Sequence, residues 1–210
     1  MDANYPFSLN LIRFNALKDK DYDPSLILKH IKLAKERGAD YIISCHHWGL
    51  EFEYYPPERI VNRAHELLES GIDMIIGHHP HILNPIDHYV TKDKRDCLVF
   101  YSLSSLTTFG LIGAIKQLSE IAEIVLEAGC DENGKVRINV KKVALTPVMH
   151  SRNKVNGKVS NRLLPIKQSF QYIVEGNIPK HFSKKDVRRI KYLKKEYEEY
   201  GMTLATQRFP

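Results

Sequence analysis

The stretch IIGHHPHI, residues 75–82, is the most informative part of the sequence for fold and function. Three of the four residues from His78 to His81 are histidines, and they directly follow an apolar run. Residues 74–76 fit a short strand that is buried on both faces. Residues 57–70 predict the helix that precedes it. The histidines therefore lie at the carboxyl end of a predicted strand.

A second group of histidines lies one strand earlier in the chain. Residues 23–37 predict a helix, and residues 41–45 predict a buried parallel strand that ends just before His46 and His47. Helix, strand, helix and strand with short joints are typical of parallel α/β architecture. Right-handed crossovers place such strands in one sheet, whose carboxyl ends collect ligands. We therefore expect His47 and His79 to lie within metal-bridging distance.

Five histidines in two strand-end clusters favour a metal site. Neutral imidazole is a common ligand for zinc, iron and manganese. A lone histidine after a strand is usually an ordinary polar residue, and this interpretation is kept for the five outside the clusters: His30, His65, His88, His150 and His181.

The remainder of the chain follows a different pattern. Residues 97–101 predict a further strand, and residues 119–128 and 135–148 predict two long strands joined by a turn at Asn133-Gly134. From Ser183 a helix resumes, with Asp186 completing a capping box. The predicted organisation is an extension or truncation remnant over residues 1–22, an α/β part over 23–150, a loop-rich segment over 151–182, and a basic amphipathic helix and tail over 183–210.

Three motifs carry a resemblance to a known family. They are HWGLEF at residues 47–52, GHHPHIL at 77–83 and YSL at 101–103. They resemble the HWGxEY, GHHPHV and YSL motifs of the CapA family, bacterial capsule and poly-gamma-glutamate biosynthesis proteins that are related to calcineurin-like metallophosphoesterases. The match runs through residues 23–205 in the same order.

The resemblance implies the C-terminal part of a metallophosphoesterase-like αββα sandwich, with parallel strand–helix units followed by a β-hairpin and a C-terminal helix. It also implies two divalent ions of the manganese, iron or zinc class. Carried over, His47 and His79 would bind one ion and His81 the other, and no catalytic residue is assigned. Supporting or structural roles fall to His46, Trp48, Gly49, Glu51, Gly77 and His78.

The chain also departs from the family pattern. Residues 1–22 contain none of the GD, NLE and NHxxD motifs that supply the bridging aspartate and further ligands, and YSLGNF becomes YSLSSL at residues 101–106. A two-metal phosphoesterase needs a bridging carboxylate. We therefore expect a C-terminal half whose phosphoesterase-like activity depends on a separately encoded N-terminal half, or a homo-oligomer that covers the exposed face.

The charge distribution supports a different function. Residues 1–150 carry a net charge of −3 and residues 151–210 a net charge of +9. In this alternative the metal site is a relic and the chain is a non-catalytic module. Its binding residues would be Lys184, Lys185, Arg188 and Arg189, which would hold an acidic polymer or lie against a membrane surface peripherally. Nucleic acid is not expected, because no fold that reads bases is recognised.

A third possibility is a self-contained zinc hydrolase in which His47, His79 and His81 form a three-histidine site.

The sequence contains no run of about 18 apolar residues that would span a membrane, and its first residues lack the features of a signal peptide. As it stands, the sequence predicts a cytoplasmic protein, whereas the resemblance implies association with the cell envelope.

Overall fold

A computed structural model describes residues 12–106, 113–130, 134, 136–155 and 157–199, apart from the side chains of residues 155 and 199. The first part of the fold is an α/β unit. Its elements are α1 (Ser25–Glu36), β1 (Ile43–His47), α2 (Glu58–Glu69), β2 (Met74–His78), β3 (Ile86–Val90) and β4 (Asp96–Phe100). They form a sheet of order β1-β2-β4-β3, in which β1, β2 and β4 are parallel and β3 is antiparallel.

The second part is an antiparallel sheet followed by two helices. The strands are β5 (Leu118–Cys130), β6 (Val136–Val155) and β7 (Lys158–Pro165), and the helices are α3 (Ile166–Val174) and α4 (Lys184–Glu199). The sheet order is β5-β6-β7. The predicted mixed α/β class, with parallel strand–helix units, is confirmed.

Local sequence explains where the helices begin and end. The Asp23 carboxylate accepts a hydrogen bond from the Ser25 backbone N–H at 2.9 Å, which satisfies one free donor at the start of α1. Gly38 and Gly71 follow α1 and α2 with φ values of +82° and +117°, a left-handed conformation that glycine adopts without steric cost. The predicted capping box of α4 is also present, since Ser183 and Asp186 exchange backbone-to-side-chain hydrogen bonds.

The core lies on both faces of the first sheet. On one face, α2 buries Ile60, Ala64 and Leu67 completely against the sheet. On the other, Met74, Leu98 and Phe100 contact apolar residues of β5 and β6. The two sheets therefore pack face to face, as the resemblance implied.

Helices α3 and α4 pack against the face of the second sheet that also contacts the first sheet. Leu118 of β5 pairs in register with Met149 of β6, and both contact Ile190 and Leu193 of α4. Alternate residues of a strand share one face, and Leu118 is an even number of residues from Ala122, which packs on the first sheet.

The predicted loop-rich segment 151–182 is wrong. Strand β6 continues to Val155, β7 pairs with it antiparallel, and α3 follows directly. Asn153 and Asn161, which suggested a loop, lie within the paired strands β6 and β7, and Gly157 between the two strands has a φ of +77°. The predicted hairpin is therefore a three-stranded sheet, and its predicted Asn133-Gly134 turn lies outside the described residues except for Gly134.

Two further details of the first sheet differ from expectation. Strand β3 was not predicted, because its sequence, IDHYV, is short and half polar. Strand β1 is parallel to β2 as predicted, but it is not buried, since Ile43 is 49% exposed. Within the described residues β1 lies at the edge of the sheet, so one side of it has no neighbouring strand.

The N-terminal segment of the described chain is held against α2 by Arg63. Its guanidinium, only 3% exposed, donates to the carbonyl oxygens of Phe14 and Ala16 and pairs with Asp19 at 3.1 Å. It also lies 4.5 Å from the centre of the Tyr22 ring.

Of the helices in the described part of the chain, none combines the length and apolar content that a membrane crossing requires.

A buried carboxyl group makes stability depend on pH. Glu120 of β5 is 6% exposed and accepts a hydrogen bond from the Tyr197 hydroxyl of α4 at 2.6 Å. Burial raises the pKa of Glu120 to about 7. The folded state therefore binds a proton more tightly than the unfolded state, and its stability falls as pH rises from about 4.5 through 7.

We predict that Glu120→Gln removes this loss. The variant should gain stability relative to the wild type between pH 5 and pH 8, by on the order of 2–3 kcal/mol. Urea unfolding at the two pH values measures it, with Glu123→Gln on the exposed side of the same strand as the control. Equal pH dependence in the wild type and Glu120→Gln would contradict the assignment.

Candidate metal centre

Strand register brings the two histidine groups together. In the parallel pair β1–β2, His47 lies opposite His78, so the loops that follow the two strands leave the sheet at the same edge. The loops are also hydrogen-bonded to each other, since the Phe52 N–H donates to the Pro80 carbonyl oxygen at 2.8 Å. This is the arrangement expected at the carboxyl ends of neighbouring parallel strands.

The predicted proximity of His47 and His79 is confirmed. Nε2 of His47 lies 2.9 Å from Nδ1 of His79, and the ring centres are 4.6 Å apart. Desolvation lowers the pKa of His47, and the neighbouring imidazoles His79, His81 and His78 lower it further. A lowered pKa keeps this imidazole neutral at physiological pH, the form in which histidine binds a metal.

His81 lies near a carboxylate rather than directly beside His47. One ligand atom from each of Glu51, His79 and His81 lies within 4.8 Å of the others. Nε2 of His81 is 3.7 Å from Oε1 of Glu51. Glu51, which the sequence suggested as a supporting residue, therefore lies where it could itself bind a metal. In the described part of the chain, this is the one such group of three side chains.

The backbone of these loops is strained at two histidines of the cluster and at residues beside them. His79, His81 and Phe52 have φ values of +108°, +58° and +65°, and so does Ser104 nearby, at +65°. Few residues other than glycine adopt this region, and each instance costs on the order of 1–3 kcal/mol. Four of the five non-glycine residues with positive φ in the described chain therefore lie at or beside the cluster.

Trp48 fixes the edge of the sheet beneath the cluster. Its indole is 1% exposed and donates from Nε1 to the Tyr101 carbonyl oxygen at 3.1 Å. Its backbone N–H donates to the His78 carbonyl oxygen at 3.0 Å. Gly77 leaves room for the indole, because a Cβ there would lie 2.5 Å from Nε1 and would overlap the Tyr101 carbonyl oxygen. We refer to Trp48, Gly77 and Tyr101 as the indole clamp.

His46 is a core residue and not a ligand. It is 6% exposed, and its ring stacks on Trp48 with the ring centres 4.7 Å apart. Burial lowers the pKa of His46 to about 4, so the imidazole stays neutral, and its Nε2 lies 3.0 Å from the Ser44 hydroxyl. His78 occupies the last position of β2 with an exposed side chain.

Sequence reasoning missed Asn15, which holds the HWG loop. Its amide nitrogen donates to the Gly49 carbonyl oxygen at 2.7 Å, and its amide oxygen accepts from the Gly49 N–H at 2.9 Å. A cavity of about 300 Å³ lies beside it and is lined in part by Asp21 and His47. Asn15 is not followed by histidine and so does not fit the NHxxD motif, and no local pattern marks it as a contact for residue 49.

The basic residues of α4 do not all face the same way. Lys184, Lys185 and Arg188 are exposed as predicted, whereas Arg189 is partly buried and desolvation lowers its pKa. Lys184, Arg188, Lys191 and Lys195 are all exposed, and their spacing of four, three and four residues places them on one face of the helix. We call these four residues the basic stripe.

The fold and the cluster define a mixed α/β protein with imidazole and carboxylate groups gathered at the carboxyl edge of its parallel strands. Residues 5–107, just under half of the chain, match the family described as bacterial capsule synthesis protein PGA_cap. Over these residues the chain is similar to this family, which confirms the resemblance to CapA proteins.

Curated relatives agree with the family match. The chain is 36% identical over 83 residues to the PGA biosynthesis protein CapA of Bacillus subtilis, and 35% identical over 86 residues to the capsule biosynthesis protein CapA of Bacillus anthracis. Each match covers 40% of this chain and 20% of the relative. A probable polyglutamine synthesis accessory protein of Mycobacterium tuberculosis is 40% identical over 60 residues, which is 29% of this chain and 16% of that protein. The matched part thus spans about a fifth of the length of these relatives or less.

We predict that Gly77→Ala disrupts the indole clamp. The added methyl group has no room between Trp48 and Tyr101, so the variant should lose about 2–3 kcal/mol of unfolding free energy. Trp48 is the only tryptophan of the chain, so its fluorescence reports directly on the clamp during urea unfolding. Gly129→Ala is the matched control, because a Cβ there meets no atom within 4 Å. A Gly77→Ala variant as stable as this control would refute the steric argument.

Proposed function

We propose that this chain carries the metal-binding histidines of a CapA-like accessory protein for capsule or poly-gamma-glutamate biosynthesis, with phosphoesterase-like hydrolase chemistry. The observation that carries the proposal is the cluster of His47, His79, His81 and Glu51 at the carboxyl ends of β1 and β2. The names of the relatives supply the biological process, and the cluster supplies the chemistry.

The donor set fits a divalent cation. Two ligands bound at about 2.1 Å lie roughly 3–3.4 Å apart for angles between 90° and tetrahedral. His47 Nε2 and His79 Nδ1 are 2.9 Å apart, close to that range, and a shared cation would take the place of the proton in the N–H···N hydrogen bond that this distance allows. His81 Nε2 and Glu51 Oε1, at 3.7 Å, could lie on either side of an ion.

Each residue has a role in this proposal. His47 and His79 offer nitrogen lone pairs to one ion, and His81 with Glu51 offers a nitrogen and a carboxylate oxygen at the second position. The negative charge of Glu51 would offset part of the charge of the cations. A bound divalent ion of the manganese, iron or zinc class supplies Lewis-acid polarisation of a phosphoryl oxygen and a nucleophile at neutral pH.

Additional ligands are needed for a two-metal site. Within the described residues no aspartate joins the group of Glu51, His79 and His81. We propose that the bridging carboxylate comes from a segment equivalent to the remainder of the longer relatives, on the same polypeptide or a separate one, or from a second copy of the chain. The edge position of β1 and the exposure of Ile43 support docking of such a segment beside β1.

We predict that the untagged chain binds Zn²⁺ or Mn²⁺ and that His79→Ala weakens binding at least about tenfold, because it removes one of the two nitrogen ligands of the first ion. Isothermal titration measures affinity and stoichiometry. His30→Ala, an exposed histidine on α1, is the control. Equal metal binding by His79→Ala and His30→Ala would contradict the proposal, and so would a wild-type chain that binds no metal.

The same metal-loaded chain should hydrolyse a chromogenic phosphodiester no faster than the free metal, because no bridging aspartate joins the cluster among the residues that the structure describes. Activity that is abolished by His79→Ala in this chain alone would contradict that part of the proposal. Such activity with one tightly held zinc would instead favour the self-contained three-histidine hydrolase.

The basic stripe of α4 favours a second candidate function, the binding of an acidic polymer. Its four cations lie along one exposed helix face over eleven residues, about 16 Å, a spacing that suits repeated carboxylates. Because the interaction would be electrostatic, its strength should fall steeply with salt. In this module the metal cluster need not be functional.

We predict that reversing Lys184, Arg188 and Lys191 to glutamate abolishes retention of the chain on immobilised poly-gamma-glutamate at low salt. The control reverses three exposed lysines elsewhere, Lys29, Lys92 and Lys158, so that the net charge is identical. Equal loss by the two triple variants would show that total charge and not the stripe is responsible. Tighter retention of the wild-type chain on anionic vesicles or single-stranded DNA would assign the stripe to those partners instead.

A further inference from the structure

Ser105 contacts the imidazole of His81 on the side away from Glu51. Its hydroxyl oxygen lies 2.6 Å from Nδ1 of His81, whereas Nε2 of the same ring faces the Glu51 carboxylate. Ser105 itself is partly buried. The two nitrogens of this ring therefore have separate surroundings, one a single hydroxyl and the other the candidate metal cluster.

A neutral imidazole carries its proton on only one nitrogen, and the partner of one nitrogen decides which state the other takes. If Nδ1–H donates to the Ser105 oxygen, the lone pair lies on Nε2 and faces the cluster. Histidine ligands are commonly held this way, by a hydrogen bond from the nitrogen that does not bind the metal. Serine can accept this bond, because its hydroxyl carries two lone pairs.

The surrounding backbone holds Ser105 in place. Its carbonyl oxygen accepts a hydrogen bond from the Ser119 hydroxyl at 2.7 Å, and Ser119 is fully buried on β5. Two residues earlier, the Leu103 N–H donates to the Gly77 carbonyl oxygen, and the Leu103 carbonyl oxygen accepts from the Glu120 N–H. Ser105 is thus fixed between the end of β2 and the start of β5, and its position relative to His81 is set by both sheets.

This serine lies where the chain departs from the YSLGNF pattern. Ser104 stands in the place of the glycine and retains a left-handed φ of +65°, and Ser105 stands in the place of the asparagine. The Ser104 hydroxyl is buried without a hydrogen-bond partner, so it contributes nothing polar to the cluster. Of the two altered positions, Ser105 is the one whose side chain reaches a candidate ligand.

The same contacts argue against a serine nucleophile. A nucleophilic serine needs a histidine base that is in turn oriented by a hydrogen-bonded acid. The 3.7 Å between His81 Nε2 and Glu51 Oε1 exceeds hydrogen-bond length, so the second contact is missing.

We propose that Ser105 is a positioning residue that accepts a hydrogen bond from Nδ1–H of His81 and so directs the Nε2 lone pair toward the metal cluster. This inference rests on the proposed metal-binding function of His81. It extends that function to a position at which this chain differs from the family pattern.

Nitrogen NMR of the histidine rings tests this directly in the metal-free, full-length chain labelled with ¹⁵N-histidine, at a pH where the rings are neutral. His81→Ala identifies the His81 signals. The expected spectrum shows a protonated Nδ1 and an unprotonated Nε2 for His81. In Ser105→Ala this preference should be lost, and in Ser105→Thr, which retains the hydroxyl, it should be kept.

Zinc titration of the same proteins provides the second readout. Ser105→Ala should bind Zn²⁺ about tenfold more weakly than the wild type, and Ser105→Thr about as tightly as the wild type. The matched control is Ser104→Ala, which removes the neighbouring hydroxyl that has no hydrogen-bond partner and keeps a non-glycine residue at the same φ. It should change neither readout.

Two results would overturn the role of Ser105. One is a His81 ring that carries its proton on Nε2 in the wild type, and the other is unchanged zinc affinity in Ser105→Ala. Failure of the proposed function is distinguishable, because a wild-type chain that binds no zinc refutes the metal site while the NMR measurement in the metal-free protein still decides the Ser105–His81 contact.

Discussion

The hydrogen bond from the Trp48 indole to the Tyr101 carbonyl oxygen, across Gly77, is the constraint on which the site depends. It joins the residue after β1 to the residue after β4, over the strand that lies between them. The indole is buried, and there is no room for a side chain at position 77. The ends of β1, β2 and β4 are therefore held in a fixed position relative to one another. The loops that carry His47, His79 and His81 start from these fixed ends.

The strain at the cluster follows from this anchoring. A fixed strand end gives the loop few residues in which to turn, and His79 and His81 adopt left-handed backbone conformations in doing so. Packing elsewhere must offset that cost. The buried anchors on each side, Trp48 below the loops and Arg63 beneath the N-terminal segment, provide such packing. The cluster is thus held by residues that do not themselves face it.

Sequence patterns predicted the parts of the fold that depend on local signals. Apolar runs with helix caps located β1, α2 and β2, and the rule that parallel strands collect ligands at their carboxyl ends predicted that His47 would meet His79. The patterns failed where a residue acts through a distant partner. Asn15 contacts Gly49, and Glu51 approaches His81, through contacts that no spacing in the sequence indicates. The prediction for segment 151–182 failed for another reason, because Asn153 and Asn161, residues that favour loops, lie within the paired strands β6 and β7.

The central claim is that the histidines at the ends of β1 and β2 bind a metal through their ring nitrogens. Anomalous diffraction from a zinc-soaked crystal of the untagged chain tests it most directly. The account predicts a zinc peak within about 2.1 Å of both His47 Nε2 and His79 Nδ1. A well-diffracting crystal with no anomalous peak at these nitrogens, or with zinc bound only at the exposed His30, would contradict it.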